Sequence, residues 1–410
     1  MSSERSKQVR IGLLGHGTVG AAFAELVAER AGAVEAATGR RPEIAGVLTR
    51  DQGDFGEILE RTDLVVEQMG GTGAAREIEL DALRAGRPVV TANKQLLAQH
   101  GDELFAIARE AGVQLRFEAA VAGVIPIVRT IQESFGVTEI AKVFGIVNGT
   151  TNFILSEMAA TGAGYDEVLA QAQDLGYAEA DPSDDVSGAD AAAKMAILAR
   201  LAFHTPVSLS EVSYEGIEAI QPDDLAYAKE LGLSLKLLGA AERRDGGISV
   251  RVFPCFLYRG HPLAPIEGPF NAVMVEAPAI TEVTMSGPGA GGLQTASAVL
   301  GDVVSILAGE APVHETREEL TIVADVTSSF YLYLEVADQP GVLARVATVL
   351  GDHQVSVKSV VQRGFGDDAR LVMVVHECLE SRFRAAVQEL GALGDLRAPP
   401  RSIRVIEEEF

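Results

Sequence analysis

The chain has 410 residues, 47% of them apolar and 22% charged, and a formal net charge of −24 at pH 7. That length exceeds one core and implies two or three domains, and the composition excludes long-range disorder. The negative surface repels phosphodiester backbones, which sets nucleic-acid binding aside.

The opening stretch, MSSERSKQVRIGLLG, is polar and then enters a strand, with no apolar signal-peptide core. No apolar run reaches membrane-spanning length, AILARLAF being broken by Arg200. Cys255 and Cys378 stand far apart with no partners at metal-ligand spacing, which argues against a disulfide framework or a zinc site. A cytoplasmic, reducing location is the expectation.

Between residues 9 and 120, short apolar strands alternate with helical stretches. VRIGLLG is followed by VGAAFAELVAERA, and IAGVLT, DLVVEQ, PVVTA and VQLRFEA are further strand candidates. That alternation predicts right-handed βαβ units on a parallel sheet. Residues 130 to 290 mix helices such as AAAKMAILARLAF with strands such as ISVRVFPCFLY, an α+β pattern. Near residue 286 the glycine cluster SGPGAGG leads into the helical LQTASAVLGDVVSIL. From about residue 325 the order becomes βαββαβ, which predicts a small separate domain.

Gly15, Gly17 and Gly20 in GLLGHGTVG have G-x-G-x-x-G spacing between a strand and a helix. The first permits a tight turn, the second lets backbone approach a pyrophosphate, and the third lets helix pack on strand; the pyrophosphate sits over free helical N–H groups. The second strand reads as ending at Thr49 and Arg50 rather than at an acid. An Arg there accommodates a 2′-phosphate and leans toward NADP, while a plain surface arginine is the competing reading.

In LGYAEADPSDDVSGADAAAKMAI, Glu179, Asp181, Asp184, Asp185 and Asp190 crowd just ahead of Lys194. One reading is local: Ser187 and Asp190 as an S-x-x-D capping box, and Asp190 with Lys194 as an i,i+4 surface pair. It leaves the upstream acids unexplained, since their repulsion costs stability. A divalent metal is a second reading, but no EF-hand or octahedral spacing appears. In the third, acids hold a substrate ammonium while Lys194, on the same helix face as Asp190, serves a reacting oxygen. Lys94 in VVTANKQLL falls at a strand's C-terminal end, where open α/β sheets bind ligands; Asn93 before it is a candidate N-cap.

GHGTVG, TANK, EAAVAGVIPIV, NGTTNFIL, LGYAEADPSDDVSGADAAAK and GPGAGGLQTASAV run in this order over residues 9 to 310. Together they resemble homoserine dehydrogenase, whose members interconvert homoserine and aspartate 4-semialdehyde with a nicotinamide cofactor on the route to threonine and methionine. The resemblance implies an α/β fold in three parts. These are a Rossmann-type doubly wound NAD(P)-binding domain (1–130 plus about 290–318), an α+β catalytic and dimerisation domain (131–289) and a C-terminal regulatory domain (325–410).

It implies that Lys194 exchanges a proton at the substrate's C4 oxygen, with Asp190 and Lys94 as charged companions. Substrate contacts fall to Glu179, Asp185, Thr150 and Lys94. The NADP or NAD cofactor falls to Gly15, Gly17, Thr18, Val19, Gly20, Arg50, Gly70, Thr91, Lys94, Asn148 and Gly289. Glu118, with carbonyls of Val121, Gly123 and Ile125, is implied to hold a monovalent cation, sodium or potassium; a strand-to-helix turn with Pro126 early in the helix is the competing account. Gln294 stands where the family commonly has proline, and no second basic residue follows Arg50.

The segment YLEVADQPGVLARVATVLGDHQVSVKSVVQ resembles an ACT domain, an amino-acid-sensing module. Asp338 and Gly341 then mark the effector region, with threonine the natural effector; dimerisation by edge-to-edge sheet pairing is the alternative role. A homodimer or homotetramer is expected. Two rivals remain. Aspartate-semialdehyde dehydrogenase needs a cysteine nucleophile, and Cys255 reads as a buried strand residue. A catalytically silent amino-acid sensor leaves Asp190 and Lys194 unexplained.

Overall fold

The apolar runs before residue 120 form a five-stranded parallel sheet in the order β2-β1-β3-β4-β5. Its strands are β1 (Lys7–Leu14), β2 (Arg40–Leu48), β3 (Leu64–Glu67), β4 (Val89–Thr91) and β5 (Leu115–Arg116). The structure, a computed structural model, describes residues 7–310, 319–366 and 369–406. Val65, Val66, Val89 and Val90 are fully buried, because helices cover both faces of a parallel sheet. Those helices are α1 (Thr18–Thr38), α2 (Phe55–Arg61), α3 (Ala74–Arg84) and α4 (Lys94–Ala111). β2 stops at Leu48, earlier than its sequence suggests, because Thr49 donates its N–H to the Gln52 carbonyl and turns the chain.

After the short helix α5 (Ile127–Arg129), a mixed sheet begins with β6 (Lys142–Ile146). The helices α6 (Gly149–Thr161), α7 (Tyr165–Asp174), α8 (Ser183–Val186) and α9 (Ala189–Phe203) follow. Next come the two-residue β7 (Ser213–Tyr214), α10 (Pro222–Glu230), β8 (Leu233–Arg244), β9 (Gly247–Tyr258), β10 (Phe270–Ala277) and β11 (Thr281–Pro288). The alanines of α9 let it press against β8 and β9, and nearly every residue of the helix is buried. Helix α11 (Gly292–Ala308) then returns to pack on α1, where Ala296, Val299 and Val303 meet Phe23 and Val27.

The last region follows the expected order: β12 (Thr327–Glu335), α12 (Val342–Asp352), β13 (Val357–Arg363), β14 (Arg370–Leu379), α13 (Glu380–Gly391) and β15 (Arg401–Ile406). Its core centres on Leu332, Val346, Leu350 and Phe383, with the Phe330 and Phe383 rings stacked at 3.9 Å.

This region keeps its own core, yet it is joined to the middle of the chain through the sheet. β15 pairs in parallel with β9, Arg404 opposite Cys255, so both regions share the sheet β11-β10-β6-β8-β9-β15-β12-β14-β13. An unpaired strand edge invites pairing, and here the neighbouring edge lies in the same chain. Charged groups close the seam. Arg404 meets Glu380 (2.7 Å) and Glu215 (2.9 Å), and Arg251 meets the same Glu380. Among the described residues the opposite edge, β13, pairs with β14 alone and is largely exposed.

Candidate active site

The glycine turn has the geometry its spacing predicts. Gly15 takes φ +95°, and a Cβ there would lie 2.6 Å from the Gln68 carbonyl. A Cβ on Gly20 would lie 2.2 Å from the Gly15 carbonyl oxygen, whereas one on Gly17 would meet nothing within 4 Å. Gly17 is the N-cap of α1 and makes no side-chain cap, so the first N–H groups of that helix face the open side. Thr18 is exposed, Val19 half-buried, and Gly292 packs against Thr18 from the start of α11. Gly20→Ala is therefore expected to lower Tm through overpacking worth about 1–3 kcal/mol. Gly17→Ala should leave Tm unchanged while weakening cofactor binding, as fluorescence titration of the reduced cofactor would report.

Arg50 is exposed in the turn after β2, and Gly70 lies exposed in the loop after β3. Asn93 caps α4, its side chain accepting from the Leu96 N–H (3.1 Å) and donating to the Gly71 carbonyl (2.7 Å). Lys94 thereby becomes the first residue of α4, at the C-terminal rim of the parallel sheet.

There the two domains meet in one charged cluster. The Asp190 carboxylate, 3% exposed, is ion-paired with Lys94 through one oxygen. Through the other it accepts from Lys194 Nζ (2.7 Å) and Asn148 Nδ2 (2.8 Å). Lys194 Nζ also donates to the Val147 carbonyl (2.7 Å), just past β6, and the Asn148 amide reaches Asp185 (2.7 Å). Asp190 and Lys194 are an i,i+4 pair as their spacing predicts, but a buried one, the Lys194 side chain being 11% exposed.

Two details correct the local reading of this stretch. Ser187 and Asp190 form no capping box: the N-cap of α9 is Gly188, and the Asp190 carboxylate is committed to the two lysines and Asn148. The ammonium groups of Lys194 and half-buried Lys94 draw that carboxylate more strongly than a backbone N–H does.

Electrostatics follow from this packing. Burial works to raise the Asp190 carboxyl, but Lys194 and Lys94 outweigh it and hold the group well below the ordinary range. Burial also works to lower the Lys94 ammonium, yet Asp190, with Asp185 and Asp184 behind it, leaves it raised. For Lys194 burial prevails, aided by the charge of Lys94, and the ammonium is lowered. Burial, then the charge of Asp190, raise Asp185. Of the two lysines, Lys194 is therefore the easier to deprotonate.

The remaining predicted contacts divide. Thr150 Oγ1 donates to the Tyr177 carbonyl (2.7 Å), tying α6 to the acidic loop, while Glu179 stays exposed on that loop, its carbonyl accepting from Gln173. Asn148 also caps α6 through the Thr151 N–H (2.9 Å).

Gly123, at φ +64°, lies so close to the Pro288 and Gly289 carbonyls that a Cβ would fall 2.6 Å from either. Residues 121–125 and Gly289 thus share one place. The Glu118 carboxylate accepts the N–H groups of Val128 (2.8 Å) and Arg129 (2.9 Å); burial, with Asp302 nearby, raises its pKa to about 7. Among the described residues no group of three His, Cys, Asp or Glu is disposed to hold a metal ion. Val121 and Ile125 are buried beside Glu118.

Asp338 accepts from the Gly366 N–H (3.0 Å), and Gly341 is the N-cap of α12. Cys255 is fully buried and burial pushes its thiol up to about 12, which disarms it as a nucleophile. No helix among the described residues is long and apolar enough to cross a membrane.

A dinucleotide-binding turn at the rim of a parallel sheet, with a lysine–carboxylate–lysine cluster where that sheet meets an α+β domain, defines a nicotinamide-dependent dehydrogenase of small substrates. Residues 15–118 match the family model described as the NAD binding domain of homoserine dehydrogenase, 126–304 that of homoserine dehydrogenase, and 330–395 that of the ACT domain. The chain belongs to the homoserine dehydrogenase family and is an oxidoreductase of that type. It is 43% identical to the homoserine dehydrogenase of Corynebacterium glutamicum, covering 97% of this chain and 95% of the other. Identity to that of Neisseria gonorrhoeae is 38%, covering 97% and 99%.

Among solved structures, a homoserine dehydrogenase from Thiobacillus denitrificans matches with TM-score 0.93 and 36% identity, covering 98% of this chain and 99% of the other. A hyperthermophilic archaeal homoserine dehydrogenase in complex with NADPH matches with TM-score 0.65 and 27% identity, covering 75% of this chain and all of the other.

Proposed function

We propose that Lys194 is the acid–base group of the interconversion of L-homoserine and L-aspartate 4-semialdehyde. The observation that carries this reading is the Asp190 carboxylate clamped between Lys194 and Lys94 at the rim of the parallel sheet. The nicotinamide supplies or accepts the hydride. Lys194 places its charge beside the substrate's C4 oxygen, stabilises the developing alkoxide and gives up a proton to it; in the oxidation direction it takes that proton back. Lys94 keeps the net charge of the cluster positive, and Asp190 fixes both amines in place. Asp185, half-buried and held by Asn148, receives the substrate's ammonium group, with Glu179 on the exposed acidic loop as its outer companion.

The cofactor is NADP or NAD, along Gly15 to Gly20 with Thr91 and Gly289 at its nicotinamide end. Exposed Arg50 is placed to meet a 2′-phosphate, and the archaeal relative's NADPH accords with that. The carbonyls of Val121, Gly123 and Ile125 beside Glu118 hold a monovalent cation that stiffens the loop under Gly289. The domain limits are 1–130 with about 290–318, 131–289 and 325–410; residues 1–6, 311–318, 367–368 and 407–410 lie outside the described residues. The ACT-domain turn at Asp338 and Gly341 binds threonine and feeds back on activity, in a cytoplasmic homodimer or homotetramer of the threonine and methionine route.

A spectrophotometric assay with homoserine and either NAD or NADP, with and without threonine, tests the whole reading. In the oxidation direction Lys194 acts as a base, so kcat is expected to rise with pH along a limb set below the ordinary lysine value of 10.5. A limb at or above that value would remove Lys194 from the acid–base role.

A further inference from the structure

Two buried carboxyl groups behind the active-site rim take no part in the chemistry described so far. Glu67 ends β3 and Glu79 lies on α3, both 0% exposed. The Glu67 carboxylate accepts three donors: the N–H groups of Met69 and Gly70 (2.9 Å) and the Thr91 hydroxyl (2.7 Å). Neither oxygen of Glu79 receives a hydrogen bond from a described residue. Burial first, then the charge of Glu67, push the Glu79 carboxyl well above the usual range. A carboxylate as deeply buried as Glu79, with no described donor to offset the loss of water and a second acid near it, is not stably ionised. The proton belongs on Glu79, whose oxygens meet no donor among the described residues, whereas Glu67 already accepts three.

We propose that Glu79, as a neutral carboxylic acid, donates to the Glu67 carboxylate, and that this buried pair positions the Gly70–Gly71 loop and Lys94 for hydride transfer. Each rim segment is tied to Glu67 by a short path. Met69 and Gly70 bond to it directly, and Gly15 packs on Gln68 and Met69 beside them. On the other side Thr91, bonded to Glu67, accepts from the Asn93 N–H (3.0 Å). The Asn93 amide closes the ring on the Gly71 carbonyl (2.7 Å), and the next residue, Lys94, reaches Asp190. One ionised carboxylate thus fixes the glycine turn, the loop after β3 and the head of α4 together. An ionised carboxylate accepts all three donors at once, and an amide in its place does not.

The positioning role rests on the part given to Lys94 above; the shared proton does not. In the full-length enzyme at about pH 9, where Glu118 (about 7) and Asp302 (about 6) are ionised, infrared spectroscopy is expected to retain a protonated-carboxyl carbonyl band. That band should vanish in Glu79→Gln and survive in Lys94→Ala. Its absence from the wild type, or its persistence in Glu79→Gln, overturns the shared proton.

Kinetics test the positioning. Glu79→Leu removes the donor and is expected to raise the cofactor KM about tenfold. Glu79→Gln, a neutral donor of similar shape, recovers most of that loss. Glu67→Gln is expected to raise the cofactor KM and lower kcat, each about tenfold or more, through misplaced rim groups. Wild-type kinetic constants in folded Glu67→Gln overturn the positioning role. If that variant does not fold, Thr91→Val, which cuts only the hydroxyl link, is expected to raise the cofactor KM in the same direction, and an unchanged KM overturns it.

Discussion

Replacing Lys194 with alanine is expected to lower kcat by about 10²- to 10⁴-fold in both directions, the range associated with loss of a positioned acid–base group. Cofactor affinity should stay near that of the wild type, because the glycine turn and the loop after β3 do not touch this side chain. The distinction matters, since a variant that loses kcat and cofactor binding together points to a collapsed site. Lys194 Nζ is held by Asp190 (2.7 Å) and the Val147 carbonyl (2.7 Å), which leaves one of its three donors for substrate. Burial lowers its pKa, so the proton leaves more readily than from a solvated lysine. Stopped-flow hydride transfer with titration of the reduced cofactor checks both halves, and near-normal turnover removes Lys194 from the mechanism.

Asp190→Asn is expected to be the most damaging isosteric change in the site, costing about 3 kcal/mol of stability because the buried Lys194 and the half-buried Lys94 lose their shared counter-charge. The pH dependence has a definite sign. The folded-state pKa of Asp190 is depressed, so its contribution is present above the unfolded value, about 3.9, and is lost as pH falls toward the lower folded value. The stability gap between wild type and variant should therefore be full at neutral pH and shrink on acidification below about pH 4. Urea midpoints measured across that range test this. A gap independent of pH would show that Asp190 acts through packing and not through its charge. Activity is expected to fall with stability, since Lys94 and Lys194 then repel each other out of place.

Much of this architecture is legible in the chain itself. The alternation of VRIGLLG, IAGVLT, DLVVEQ and PVVTA predicts the parallel sheet that is observed, although β2 runs from Arg40 to Leu48 and only Leu115–Arg116 of VQLRFEA form a strand. The G-x-G-x-x-G spacing predicts a crowded Gly15, an open Gly17 and a crowded Gly20, each of which the backbone shows. Asp190 and Lys194 on one helix face follow from a spacing of four. The same spacing supports the wrong cap, since Ser187 and Asp190 satisfy the S-x-x-D pattern while nothing nearby in sequence reveals Lys94, which lies far up the chain. Glu67 and Glu79 escape notice for a similar reason: each reads as an ordinary acid at a strand end or on a helix until burial brings them together.

What the sequence by itself determined were the features governed by neighbours within a few residues. These include strand and helix order, the glycine turn, the Asn93 cap and the βαββαβ order of the last region. Only the tertiary structure decided which groups meet: Lys94 with Asp190, Glu67 with the Thr91 hydroxyl, Glu118 with the N–H groups of Val128 and Arg129. It also decided that β15 joins β9, making one sheet of two domains. The reason is physical. Backbone geometry and periodicity act over one or two turns of chain, whereas the cost of burying a charge is set by groups that folding brings in from far along it.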